Sequence, residues 1–306
     1  MPQTLRLGTR GSRLALVQAN MVRDLLAARG AACILREVKT SGDRIQDRSL
    51  ADSGGKGLFT KELEEALLRG DIDLAVHSMK DVPTALPAGL AIAALLPRED
   101  PRDALVSLKA ASLEALAPGA RVGTSSVRRA ALVGRARPDL ETVLLRGNVD
   151  TRLGKLDAGQ FDAMLLAMAG LKRLGLAARA TAALDAGQWL PALAQGAIGI
   201  EIREPDGATR AAVAELNHRD TEIALACERA FQAALDGTCR TPIGGLATVA
   251  GGKLSFRGEV LAPDGGGHAD TRFEMPLGTD AVREAAAAGR EAGLALKPRA
   301  KAWLAL

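Results

Sequence analysis

Aromatic residues are nearly missing from this chain: they make up 2% of 306 residues, and tyrosine is absent. Proteins that hold single-stranded nucleic acid stack its bases on aromatic faces, so no nucleic-acid partner is expected. Cysteine is also scarce. Cys33, Cys227 and Cys239 are too few and too scattered for a disulfide framework. Three histidines add no zinc-ligand spacing, and no metal is expected. No apolar run approaches the roughly 20 residues that span a bilayer; the longest, 86–96, is broken by Pro87 and Gly89. No charged start with an apolar core and a cleavage site opens the chain. The expectation is a cytoplasmic protein without a membrane partner.

Length and charge say what is there. One hydrophobic core rarely grows past about 250–300 residues, so 306 residues imply two or three domains. The net charge is +4, but residues 121–179 hold nine Arg and two Lys against five acidic residues. A ligand with several carboxylates suits such a stretch; a merely solvated basic face is the alternative.

Strand-like runs alternate with helical patterns. A strand at 5–7 precedes a helix over 13–29 with Leu14, Val17, Met21, Leu25 and Ala28 on one face. A strand at 33–38, a helix at 61–69 and a strand at 73–77 follow. This alternation predicts an α/β fold. There is a faint internal repeat. Leu7-Gly8-Thr9-Arg10-Gly11-Ser12-Arg13 echoes Val122-Gly123-Thr124-Ser125-Ser126-Val127-Arg128-Arg129, and Asp73-Leu74-Ala75-Val76 with Met79 echoes Asp162-Ala163-Met164-Leu165 with Met168. Two similar lobes follow from it, joined near 97–101 and 191–196. Past Asn217 the pattern changes to a helix over 221–235, strands at 254–257, 259–261 and 271–275, and an Ala-rich helix from Asp280, giving a small α+β domain.

Four places can carry chemistry. The two Gly-Thr turns open helices, whose N-termini attract anions; Ser12, Thr124, Ser125 and Ser126 add hydroxyls, and Arg10, Arg128 and Arg129 can grip carboxylates two-pronged. Ordinary capping explains one hydroxyl per turn. Gly54-Gly55-Lys56-Gly57 lacks the spacing of a phosphate loop, and Lys56 stands either by an anion or in a plain turn. His77-Ser78-Met79-Lys80-Asp81-Val82-Pro83 follows a buried strand, where open α/β sheets bind ligands. There His77 reads as a core residue, and Lys80 with Asp81, aimed by Pro83, as an acid–base or charge-stabilising site; a surface Lys-Asp pair is the alternative. Cys239 lies past a helix end beside Arg240, which suits a nucleophile; spacing alone leaves an inert loop thiol equally open. Cys33 and Cys227 read as inward-facing.

The run 77–83, Gly123-Thr124-Ser125-Ser126 with Arg128-Arg129, Leu145-Arg146-Gly147-Asn148-Val149 with Thr151-Arg152-Leu153, and Gln195-Gly196-Ala197 together resemble the porphobilinogen deaminase family over nearly the whole chain. Cys239 before Pro242-Ile243-Gly244 is similar to that family's cofactor-attachment loop. The resemblance implies two type II periplasmic-binding-protein-like α/β lobes with a cleft between them and a small α+β C-terminal domain. The expected division is 1–97 plus 197–216, 102–191, and 218–306. It implies a transferase that condenses four porphobilinogen molecules, releasing ammonia, into hydroxymethylbilane, on a dipyrromethane cofactor thioether-linked to Cys239. Asp81 would be catalytic. Arg10, Ser12, Lys80, Thr124, Ser125, Ser126, Arg128, Arg129, Arg146, Arg152 and Arg173 would bind carboxylates. Gln18, Lys56, Phe59 and Ser78 would line the cleft or belong to a lid over 41–56, and the protein would be a monomer. Asp52, where the family commonly has Lys, and Thr238, where it often has Gly, depart from the pattern. A non-catalytic two-lobed binding protein is the rival class; the missing export signal weighs against it, and it gives Cys239 no role.

Overall fold

The computed structural model describes residues 4–44, 57–237 and 241–304. The chain starts with β1 (Leu5–Thr9), α1 (Arg13–Ala27), β2 (Cys33–Glu37), the short α2 (Ser41–Arg44), α3 (Lys61–Leu68), β3 (Leu74–Ser78), a 3-10 turn at Met79–Asp81, and β4 (Leu90–Leu95). It continues through β5 (Asp103–Ser107), β6 (Arg121–Thr124), α4 (Val127–Ala136), β7 (Glu141–Leu144), α5 (Val149–Asp157), β8 (Ala163–Ala167), α6 (Met168–Arg173) and β9 (Ala182–Ala183). It then forms β10 (Ile198–Arg203), α7 (Gly207–Ala214), α8 (Arg219–Ala234), β11 (Ile243–Ala250), β12 (Lys253–Leu261), β13 (His268–Pro276) and α9 (Ala281–Leu304).

Two compact units result. Among the described residues, the first combines 4–44, 57–99 and 196–222, and the second holds 100–195, 223–237 and 241–304. The first unit has one sheet in the order β2-β1-β3-β10-β4. β1 runs parallel to β2 and β3, whereas the returning β10 is antiparallel to β3 and β4. The second unit repeats this pattern as β7-β6-β8-β5-β9, with β5 as the antiparallel strand. This is the architecture expected of type II lobes.

The internal repeat has a physical basis. In the first unit the Arg6 N–H donates to Asp73 Oδ2 at 2.8 Å, and the Asp73 N–H donates back to the Arg6 carbonyl. In the second, Arg121 and Asp162 make the same exchange, with the Arg121 N–H 2.7 Å from Asp162 Oδ2. Asp73 ties the start of β3 to β1, and Asp162 ties the start of β8 to β6. Beyond each junction the strands become apolar and buried: Leu74, Ala75 and Val76 in one sheet, Ala163, Met164 and Leu165 in the other.

The second unit also carries the three-stranded antiparallel sheet β11-β12-β13. The expected break at Gly258 does not occur; β12 is one strand of nine residues. Gly258 is required there because a Cβ would meet the Phe231 ring at 2.6 Å. Phe231 and Phe256 then pack edge-on, 4.9 Å between centroids, in a core that includes the fully buried Cys227. Burying one such ring contributes about 1.5–3 kcal/mol.

Candidate active site

In the first unit the candidate residues gather at the carboxyl ends of β1 and β3. Ser12 caps α1, its Oγ accepting from the Ala15 N–H at 3.3 Å. The cap uses the oxygen and leaves the O–H free to donate. Arg10 lies just before it and spreads its guanidinium over the Phe59 ring, 4.1 Å from the centroid. This cation–π contact orients the arginine. Gln18, buried on α1, reaches Ser78 at the end of β3, with its Nε2 2.9 Å from Ser78 Oγ. Ser78 leads into the 3-10 turn that carries Lys80 and Asp81, closed by the Val82 N–H donating to the Met79 carbonyl. Lys80 is exposed and Asp81 half-buried. Among the described residues the Asp81 carboxylate has no ion pair or hydrogen bond. One turn behind it, His77 is a core residue, as expected, with Nε2 2.9 Å from Glu201 Oε2.

The lid expected over 41–56 falls mostly outside the described residues, as do Lys56 and Asp52. Its flanks are tied together: the Gly42 N–H donates to the Leu58 carbonyl and the Ser41 N–H to Glu62 Oε1, both at 2.8 Å. Thr238, Cys239 and Arg240 also lie outside the described residues.

In the second unit Ser126 caps α4, accepting from the Arg129 N–H, and Thr124 Oγ1 accepts from the Ser126 N–H. The turn therefore uses two of its three hydroxyls on itself, more than capping alone predicts. The same turn leads into Arg128 and Arg129. Both are buried and already hold a carboxylate, that of Asp103. Arg128 Nη2 donates to Oδ2 and Arg129 Nη2 to Oδ1, each at 2.7 Å. Trp189 Nε1 and Gln195 Nε2 add one bond to each oxygen, at 2.9 and 2.8 Å. Burial alone would raise the Asp103 carboxyl, but the two guanidiniums outweigh it and hold it far below the usual carboxylate range. The Nε of each arginine is buried and has no partner among the described residues.

The loop before α5 is fixed from several sides. Gly147 has φ +112°, Asn148 caps the helix through the Thr151 N–H, and Arg152 Nε donates to the Gly147 carbonyl at 2.8 Å. Arg146 is buried, and its carbonyl accepts from Lys155 Nζ. Ser125 and Arg173 are partly exposed, Arg173 in the last turn of α6. Sequence reasoning missed Asp103 and Trp189. The available signal was a carboxylate heading the apolar run Ala104-Leu105-Val106, where an isolated charge must be paired.

These features define a two-lobed α/β protein whose second lobe fixes cationic groups by burying their counter-charge. The family model "Porphobilinogen deaminase, dipyromethane cofactor binding domain" matches residues 5–211, and "Porphobilinogen deaminase, C-terminal domain" matches 223–297. The porphobilinogen deaminase of Nitrobacter hamburgensis is 54% identical over 288 residues, 91% of each chain. That of Nitrobacter winogradskyi is 52% identical over 298 residues, 96% of this chain and 93% of its own. Among solved structures, a periplasmic substrate-binding protein of an ABC transporter from Coxiella burnetii is similar at a TM-score of 0.45. It is 15% identical and covers 70% of this chain and 92% of its own. The chain belongs to the porphobilinogen deaminase family. It is a transferase of tetrapyrrole synthesis that forms hydroxymethylbilane from porphobilinogen and uses a dipyrromethane cofactor.

Proposed function

We propose that Asp81 is the catalytic carboxylate of this reaction and that Cys239 carries the dipyrromethane through a thioether. The observation that supports Asp81 is its place: a half-buried carboxylate without a protein partner among the described residues, on a turn pinned by Ser78 and Gln18. When ammonia leaves the aminomethyl group with the electrons of its C–N bond, the remaining cation delocalises onto the pyrrole nitrogen. A fixed carboxylate beside that nitrogen stabilises the cation more than the neutral ring, which lowers the barrier.

The residues present fit a cofactor rich in carboxylates. Arg10, Ser12, Lys80, Ser125, Ser126, Arg152 and Arg173 are cationic or hydroxyl side chains that keep exposed surface. When bound, the dipyrromethane supplies the nucleophilic pyrrole carbon from which the chain grows. Arg10, Ser12, Lys80, Thr124, Ser125, Ser126, Arg128, Arg129, Arg146, Arg152 and Arg173 would hold acetate and propionate groups of cofactor and substrate. Gln18, Ser78, Phe59 and Lys56 would shape their surroundings. The protein acts as a cytoplasmic monomer on a small molecule, without nucleic acid or membrane; among the described residues no helix is long and apolar enough to cross a membrane. Its working division is 1–97 plus 197–216, 102–191, and 218–306.

Intact mass with peptide mapping tests the attachment. The expected result is a two-pyrrole adduct on Cys239. An active protein whose Cys239 peptide is unmodified refutes it.

A further inference from the structure

Residues 190–194 lie along β11, an edge strand of the C-terminal sheet. The Gly245 N–H donates to the Pro191 carbonyl at 2.9 Å, and Leu193 enters the core shared by α8, α9 and that sheet. The segment then turns. The Gln195 N–H donates to the Ala192 carbonyl at 3.0 Å, and Ala194, the third residue of this turn, has φ +61°. That left-handed conformation suits glycine, because a Cβ crowds the following carbonyl oxygen. An alanine persists there only where its surroundings hold it.

Glu228, fully buried on α8, supplies that hold. Its Oε2 accepts from the Ala194 N–H at 2.5 Å, and its Oε1 from the Ala247 N–H of β11 at 2.8 Å. Only a carboxylate offers an acceptor to both donors; an amide would turn its NH2 against one of them. Gln195 follows at once. Its Nε2 donates to Asp103 Oδ1 at 2.8 Å and to the Pro101 carbonyl at 2.7 Å, and its Oε1 accepts from Arg129 Nη2 at 3.4 Å. The turn that Glu228 clamps therefore places the side chain that completes the Asp103 cluster. We infer that Glu228 is a positioning residue for the reaction: acting through Ala194, it holds Gln195 against Asp103 and so sets the orientation of Arg128 and Arg129. This rests on the reading that those arginines hold carboxylates of cofactor and substrate.

The test is steady-state kinetics of the holoenzyme with Glu228→Gln, alone and combined with Ala194→Gly. Losing a hydrogen bond to a charged group is expected to raise KM for porphobilinogen about tenfold and to leave kcat within about twofold. A glycine at 194 adopts the turn unaided, so the double variant is expected to recover most of the parent KM, and Ala194→Gly alone to keep it. A merely structural loss at Glu228 is not repaired by removing a methyl group from the turn. Trp189, whose indole N–H donates to Asp103, reports the same displacement. Its emission, read in a Trp303→Phe background, should shift in Glu228→Gln and return with Ala194→Gly. Gln195→Leu keeps the test open if Glu228→Gln does not fold: the same rise in KM is expected, now without rescue by Ala194→Gly. A parent KM in folded Glu228→Gln or in Gln195→Leu, a rise that Ala194→Gly does not reverse, or an unmoved Trp189 emission overturns the inference. Arg129→Leu separates it from the reading beneath it. Unchanged KM and cofactor loading there refute both, whereas a raised KM there beside an unaltered Glu228→Gln overturns the inference alone.

Discussion

His77 Nε2 lies 2.9 Å from Glu201 Oε2, and both side chains are sealed from solvent. Their strands are antiparallel neighbours, with His77 opposite Gly199 and Glu201 opposite Ala75, so the contact runs diagonally across the sheet. It fastens β3 two residues before the turn that carries Asp81. A hydrogen bond to a charged group contributes about 1.5–3 kcal/mol. His77→Leu should therefore cost about 2 kcal/mol in urea unfolding. An unchanged midpoint would show the pair to be idle.

Glu64, on α3, faces the same buried pair. Burial raises its carboxyl above the ordinary value, and the charge on Glu201 adds to the rise. A raised folded value means that the stability contribution is complete below the unfolded value near pH 4 and is lost as pH rises through the folded value. Glu64→Gln removes that loss. Thermal melts should show the variant more stable than the parent at pH 7 and equal to it near pH 4.

Asp103 carries the opposite sign. Its carboxyl is held low, so its contribution is present above the unfolded value near pH 4 and is lost only as pH falls far into acid. Asp103→Asn leaves two buried guanidiniums with one acceptor fewer in charge, and breaking a buried pair costs about 3–5 kcal/mol. Arg128→Leu and Arg129→Leu should each lose stability as well as cofactor loading, read by unfolding and by intact mass. Full stability in all three would mean that Asp103 holds nothing in place.

Asp81→Asn should leave unfolding unchanged and lower turnover by about 10²–10³, the usual loss at an electrostatic site. Each of the four condensations passes through the same cation, so mass spectra should show the stall at the first added unit. Normal elongation with slow product release would assign Asp81 to positioning instead.

Cys33 and Cys227 should be inert. Burial pushes the Cys33 thiol up to about 11 and the Cys227 thiol higher still. At pH 8 only about one Cys33 in a thousand is thiolate. Iodoacetamide applied to the native protein at that pH should leave both unlabelled, and labelling appears only after denaturation.

Local patterns in the sequence carried much of the molecule. The helical spacing of Leu14, Val17 and Met21 announced α1, although the face it buries is Gln18, Ala19, Val22 and Leu26 and Met21 is exposed; Gly30, with φ +78°, ended it. Two short echoes announced the repeated lobes, because an aspartate that bonds the first strand's N–H must recur wherever that joint recurs. The 77–83 run located Asp81, since a strand end followed by Pro83 fixes a turn within a few residues. What the sequence left undecided were partners far apart in the chain. Asp103 meets Arg128, Arg129, Trp189 and Gln195 across separations of 25 to 92 residues. A guanidinium reads the same in the sequence whether it waits for a ligand or already holds a buried carboxylate. Only tertiary packing, which strips water from Asp103 and so requires charged partners, decided that Arg128 and Arg129 hold a buried carboxylate of the protein itself.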